Sequence, residues 1–317
     1  MDGRNVYGLN KNGVLYCLKK GTGGLRWKRD LVSEYGAVQP YYGFAGSPVV
    51  VGDLLVLTAN TSGMALNKKT GQLLWASEKP PEEFPTFGLT NTTGTDYCTP
   101  VVSADEDEHY ALLSSWKGLS SVDIETGKLL WLYEWALATD GMTADPLIFG
   151  HKFYIAHGVS NLRQLVGFLL AVESGKPNVR WENAHLWSTI STPIYWEGHI
   201  YGCHNLPDND NPDRGSLRCL NAETGELCWE QDLGQGFSLS AAAGKLIILT
   251  TRGKLHIAEA TPSSYQEISS SDVLGGKRKP VKFWTPPVLC RGKLYCRDYG
   301  GDLICVDVRQ RDVVARQ

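Results

Sequence analysis

The string Leu220-Asn221-Ala222-Glu223-Thr224-Gly225-Glu226-Leu227-Cys228-Trp229 returns through the chain in related forms. Leu18 to Trp27, Leu66 to Trp75 and Val122 to Trp131 each place Trp nine positions after an aliphatic residue, with Thr-Gly between them. A fourth string, Val172 to Trp181, keeps the two ends but not the Thr-Gly. Trp27, Trp75, Trp131, Trp181 and Trp229 stand 48, 56, 50 and 48 residues apart. A period of this length marks a repeat architecture, in which each unit buries its apolar face against a neighbour.

A second signal precedes the first in most units: a small, hydroxyl or acidic residue, then Pro, then two or three apolar residues. It occurs at Ser47-Pro48-Val49-Val50, Thr99-Pro100-Val101-Val102, Asp145-Pro146-Leu147-Ile148 and Thr192-Pro193-Ile194-Tyr195, with a related Pro287-Val288-Leu289. Pro suits the first residue of a strand, where no ladder donor is lost. Each unit therefore spells four short strands: A after the Pro, an aromatic- and aliphatic-rich B, then C, and finally D, which follows the Thr-Gly turn and carries the Trp. Period-two patterning and frequent Gly and Pro turns exclude a helical solenoid. The expected fold is an all-β, seven-bladed β-propeller in one domain spanning 1–317. Its units are 4–31, 44–77, 98–134, 143–184, 190–233, 237–268 and 283–315. The chain starts at strand B, so the first blade lacks its inner strand, and Asp312-Val313-Val314-Ala315 is the expected last strand D. The missing strand raises the expectation of a longer, exported parent chain, periplasmic or extracytoplasmic.

The repeated Trp reads as a wedge between blades, its N–H given to a backbone carbonyl, rather than as a ligand group. Cys17, Cys219 and Cys305 share one repeat position and read as small buried side chains. Cys296 and Cys305 face each other if Gly300-Gly301 forms a two-residue hairpin turn, an arrangement that strains disulfide geometry.

Composition narrows the partner classes. Lys and Arg total 31 against 34 Asp and Glu, so no basic field points to nucleic acid. No stretch is apolar and long enough to span a bilayer as a helix. Eight Cys in 317 residues, none adjacent and none in C-x-x-C, are too dilute for a disulfide scaffold. Neither G-x-S-x-G nor a phosphate-binding Gly loop occurs, and Gly21-Thr22-Gly23-Gly24 is the turn of unit one.

The Ser/Thr-Pro-Val, Gly-Lys-Leu-Tyr and Leu-Asn-Ala-Glu-Thr-Gly-Glu-Leu-Cys-Trp strings resemble the pyrroloquinoline-quinone-like (PQQ-like) propeller repeat over essentially the whole chain. Quinoprotein alcohol dehydrogenases and the BamB-type outer-membrane assembly scaffold share that repeat. Tyr42-Gly43-Phe44-Ala45-Gly46-Ser47-Pro48, Glu259-Ala260-Thr261-Pro262-Ser263-Ser264-Tyr265 and Arg297-Asp298-Tyr299-Gly300-Gly301-Asp302-Leu303 look most like the BamB-like branch. In the dehydrogenases, the resemblance implies a quinone over a Trp floor, capped by adjacent cysteines, with calcium and an Asp base. This sequence has no adjacent cysteines, seven units where that group usually has eight, and no acid and amide set matching the calcium ligands.

Function is therefore sought in the loops. In a propeller the loops entering strand A and those between B and C gather at one mouth of the channel. The ligand-binding candidates there are Tyr42, Tyr97, Trp116, Arg163, Trp187, His204, Arg252, Trp284, Asp298 and Tyr299, aromatic planes with a few charges. Asp208, Asp210 and Asp213, in a long loop of unit five, are hard oxygen donors of the type calcium takes, and equally ordinary loop residues. The seven His show no ligand spacing. The expectation is a monomeric, non-catalytic scaffold without resident metal or cofactor, engaging a protein partner or small ligand at the aromatic mouth. The alternatives are a PQQ- and calcium-dependent alcohol or sugar dehydrogenase, and a carbohydrate-binding or carbohydrate-processing module.

Overall fold

The computed structural model describes residues 1–80, 97–105, 108–115, 117–134, 143–159, 164–188, 190–205, 214–273 and 282–309. The chain is a seven-bladed β-propeller built from antiparallel sheets. Blade one has three strands, Asn5–Leu9, Val14–Lys19 and Leu25–Asp30. Blades two and three are four-stranded: Val49–Val51, Leu54–Leu57, Met64–Asn67 and Leu73–Ala76, then Val101–Asp105, Glu108–Ser115, Gly118–Asp123 and Leu129–Glu134. Blade four comprises Leu147–Phe149, Lys152–Val159, Gln164–Glu173 and Lys176–Asn183. Blade five comprises Ile194–Trp196, His199–Asn205, Gly215–Asn221 and Leu227–Asp232. Blade six runs Phe237–Ala242, Lys245–Thr250, Lys254–Glu259 and Glu267–Asp272, and blade seven shows Val288–Cys290, Lys293–Arg297 and Leu303–Asp307 among the described residues.

The chain forms two compact units, Met1–Tyr154 with Leu170–Arg180, and Ile155–Leu169 with Trp181–Gln317. In the first, Leu15, Leu31, Leu55, Leu57, Met64 and Leu66 form one buried cluster, and Val56, Ala65, Ala111, Leu113 and Val122 the next. In the second, Tyr201, Cys219, Phe237, Leu246 and Ile248 fill one cluster, and Ile247, Leu255 and Leu294 another. Each cluster draws on successive blades, because a single sheet has no second layer of its own to bury against.

The recurrent string has a defined local structure. In blade five the Asn221 carboxamide accepts the N–H groups of Glu223 and Thr224 at 2.9 and 3.1 Å, and the Asn221 N–H reaches the Glu226 carbonyl at 2.9 Å. Gly225 then sits at φ +72°, a conformation that costs a side chain about 1–2 kcal/mol. Cys219 pairs with Trp229 but Leu220 with Leu227, so Cys228 is an extra, bulged residue. The same slip follows Cys17, Ala65, Ser121 and Ile257. It fixes the nine-residue spacing and aligns Trp27, Trp75, Trp131 and Trp229 each with a cross-strand row, such as Ile194, Tyr201, Cys219 and Trp229.

Several expectations are corrected. The Val172 N–H bonds to the His151 carbonyl as Ala222 does to Gly198 and Lys68 to Asp53, so Val172 takes the place of Ala222 and not of Leu220. Blade six ends at Asp272 rather than 268, with Ser269 opposite Ile257 where other blades place Trp. Cys305 pairs with Tyr295, and Cys296 with Ile304, because the intervening loop is longer than two residues; the two thiols leave opposite faces of the sheet. All eight cysteines are free, and Cys305 is exposed while Cys17 and Cys219 are buried. A short helix, Leu31–Tyr35, was not anticipated; Asp30 caps its first turn and Gly36, at φ +66°, ends it. The expected strand at 312–315 lies outside the described residues.

Candidate functional site

Strand-A entries are tied blade to blade within the first unit. The Ser47 N–H donates to Thr99 Oγ1 at 3.2 Å, and the Thr99 N–H to Asp145 Oδ1 at 2.7 Å. The Thr99 hydroxyl and the Asp145 carboxylate, each just before a Pro, are thus acceptors for the preceding blade. Burial pushes the Asp145 carboxyl up to about 6, against the Thr99 N–H, which favours its charged form. Above this belt, Tyr42 is 72% exposed and meets Tyr41 edge-on at 4.9 Å. The buried Tyr97 supports it from below: its hydroxyl accepts the Tyr42 N–H at 3.2 Å and its ring lies 5.9 Å away. Of this pair only Tyr42 offers a face to a partner.

In the second unit the candidates divide in the same way. Trp187 is 2% and His204 5% exposed, their rings edge-to-face at 5.3 Å. Burial above all, with the Arg218 charge adding to it, pushes the His204 imidazole down to about 4. Its Nδ1 has no hydrogen-bond partner among the described residues, so the neutral ring is a packing group. Asp298 is also buried, its Oδ1 accepting the Asp302 N–H at 2.8 Å and closing its own loop. Tyr299, by contrast, is 76% exposed and lies 5.5 Å edge-on from Trp284, whose ring has Lys282 Nζ 5.3 Å from its centroid. Ser191, Thr251 and Trp284, each with a buried polar atom that lacks a partner among the described residues, line a cavity of about 10 Å³, the size of one water molecule. Arg252 is exposed and borders a separate 440 Å³ recess with Lys254 and Asp272. Trp116, Arg163 and the Asp208, Asp210, Asp213 loop lie outside the described residues.

Sequence reasoning missed a larger feature. A cavity of about 550 Å³ opens in the first unit, lined by His109, Tyr110, Ser121, Asp123, Glu125, Leu130, Trp131, His151, Phe153 and Val172. Part of the signal was present: the blade after Trp131 lacks Thr-Gly, although the blade after Trp229 lacks it too and still supplies the Thr261 carbonyl to that indole.

The indoles elsewhere show what that signal means. Trp27 Nε1 donates to the Lys68 carbonyl at 3.2 Å and Trp75 Nε1 to Ile124 at 2.8 Å. In the second unit Trp181 donates to Ala222 at 3.1 Å and Trp229 to Thr261 at 2.9 Å. The Gly of the receiving turn presses on the ring: a Cβ on Gly71, Gly127 or Gly225 would stand 2.6–2.8 Å from atoms of Trp27, Trp75 or Trp181.

Among the described residues no three His, Cys, Asp or Glu side chains converge as a metal site. The sequence also has no adjacent cysteines of the kind that the dehydrogenase resemblance implies. Among the described residues no helix is long and apolar enough to cross a membrane.

The family model described as "Outer membrane protein assembly factor BamB" matches residues 1–207. The chain belongs to this family. BamB from Moraxella catarrhalis is similar in structure, with a TM-score of 0.67 at 17% identity, covering 96% of this chain and 81% of that one. A europium-containing methanol dehydrogenase gives 0.68 at 14%, covering 96% and 73%. The quinohemoprotein alcohol dehydrogenase of Comamonas testosteroni gives 0.62 at 13%, covering 97% of this chain and 66% of that one. Identities this low show the fold alone, which scaffold and dehydrogenase share. No curated protein sequence matches the chain.

Proposed function

We propose that this BamB-family chain is a non-catalytic scaffold that engages a protein partner through exposed loop tyrosines, Tyr42 before strand A of blade two and Tyr299 between strands B and C of blade seven, in an outer-membrane assembly role outside the cytoplasm. The observation that carries the reading is the exposure of Tyr42 and Tyr299. Each ring is held edge-on by a neighbouring aromatic and stands out into solvent. A preset aromatic face with little rotamer entropy to lose suits a flat protein surface, where Tyr is a frequent anchor. An enclosed cofactor slot would bury such rings instead.

Photo-crosslinking from benzoylphenylalanine placed at position 42 or 299 tests it in the native host. A discrete adduct with one protein, lost when the neighbouring Tyr41 or Trp284 is replaced by Ser, is the expected result. Calcium-dependent dye reduction with alcohols by the quinone-loaded chain, or quenching by soluble glycans reversed in a Tyr42→Ser variant, would replace the scaffold reading with one of its alternatives.

A further inference from the structure

The cavity beside Trp131 is a blade junction without its plug. At the neighbouring junctions of the same unit, the chain leaves strand C, bends at Asn67 or Asp123, whose side chain caps the bend, and lays a Gly on the preceding indole. Blade four does not bend. Its third strand continues through Glu173 and reverses at Ser174 and Gly175, both at positive φ (51° and 74°), a two-residue turn that simply prolongs the hairpin. A Cβ on Gly175 would meet nothing within 4 Å, so this Gly covers no ring. Among the described residues the Trp131 N–H has no acceptor, although Val172, the residue equivalent to Lys68 and Ile124, lines the same cavity. Phe153, 5.7 Å away, and Tyr110 complete an aromatic wall.

We propose that this slot receives, from a partner polypeptide, the element blade four does not supply: a tight turn whose Gly lies on the Trp131 face and whose carbonyl accepts the indole N–H. The sister junctions define the occupant chemically, since the chain seats its own Asn-Lys-Lys-Thr-Gly turn, residues 67–71, on Trp27 in this manner. Charge narrows it further. Asp123 and Glu125 border the slot, which favours a turn bearing Lys or Arg, as residues 67–71 do. The site is separate from the exposed tyrosines and stands or falls without them.

The probe is a cyclised hairpin peptide of sequence Leu-Asn-Lys-Lys-Thr-Gly-Gln-Leu, added to full-length protein labelled with 5-fluorotryptophan. The residue-131 signal is assigned through Trp131→Phe. Saturable movement of that one fluorine resonance is expected. Affinity should fall at least tenfold when the peptide Gly becomes Val, a change that leaves the protein's folding untouched. With unlabelled protein and a fluorescent peptide, Trp131→Phe, which keeps the ring and loses the donor, should weaken binding about two- to tenfold, and Glu125→Gln should reduce its salt dependence. The proposal is overturned if the Trp131 resonance does not move at millimolar peptide. It is equally overturned if the Val peptide binds as well, or if free indole or tyramine competes as strongly as the hairpin, which would make the slot a small-molecule site.

Discussion

Replacing Gly127 by Ala isolates the contact that joins one blade to the next. Gly127 is at φ +70°, and a Cβ there would stand 2.6 Å from Cδ2 and Cε3 of Trp75. The backbone conformation alone costs an Ala about 1–2 kcal/mol. The collision forces the indole or the turn aside, at about 1–3 kcal/mol for overpacking. If the ring moves, the 2.8 Å bond from Trp75 Nε1 to the Ile124 carbonyl is weakened, a further ~0.5–1.5 kcal/mol. The matched control is Gly175→Ala in the same unit: φ is +74° but the added Cβ meets nothing within 4 Å, so only the backbone cost of about 1–2 kcal/mol applies. Urea unfolding followed by circular dichroism should therefore show Gly127→Ala with the lower midpoint, by the equivalent of about 1–4.5 kcal/mol at unchanged slope. Equal midpoints for the two variants would refute the claim that the glycine–indole contact, rather than the turn conformation, holds the junction.

Trp75→Ala should cost about 3–5 kcal/mol, and Trp131→Ala about 1–2 kcal/mol less because no turn covers that ring; thermal melts of the two variants compare them directly. His204 is held near 4 while an unfolded His titrates near 6.5, so the unfolded chain takes up the proton first. Its contribution is full above pH 6.5, falls as pH drops toward 4, and amounts to at most about 3 kcal/mol, which a His204→Gln variant should remove from the pH profile of stability. Asp145 has the opposite sign of shift: its carboxyl is raised from 3.8 to about 6, so the folded state loses stability as pH rises through that window. Asp145→Asn keeps an acceptor for the Thr99 N–H and should raise stability at pH 7 by about 1–2 kcal/mol with no gain at pH 3.5. Tyr42→Ser and Tyr299→Ser should leave the melting temperature within about a degree, since exposed sites shift stability by only ±0.5 kcal/mol, while abolishing the partner crosslink.

The repeat made the fold legible. A nine-residue spacing from aliphatic residue to Trp, with Gly at a fixed place between them, states both the turn and the strand that follows, because only Gly takes the turn's positive φ without strain. The bulge at Cys228 and its counterparts could not be read, since one extra residue leaves the spelling of a strand unchanged and alters only its pairing. The same blindness misplaced Val172 by two residues and set Cys305 opposite Cys296 instead of Tyr295. Register is decided by which hydrogen bonds close across strands, and two adjacent alignments of a short strand look alike in the sequence. The candidate site divided for a related reason. Tyr42, Tyr97, Trp284, Tyr299, Trp187 and His204 are all ring-bearing loop or strand-end residues, yet Tyr97, Trp187 and His204 are buried supports and Tyr42 and Tyr299 are free faces. Which ring of a pair ends on top depends on neighbours dozens of residues away.

By itself, the sequence determined the repeat, its strand content and the residues that join successive blades, all of which are local patterns set by backbone conformation and apolar periodicity. Only the tertiary structure decided which aromatic rings face solvent and that the junction at Trp131 stands open. Both depend on the space left between elements far apart in the chain, and in particular on a hairpin in blade four that runs straight where its sisters bend.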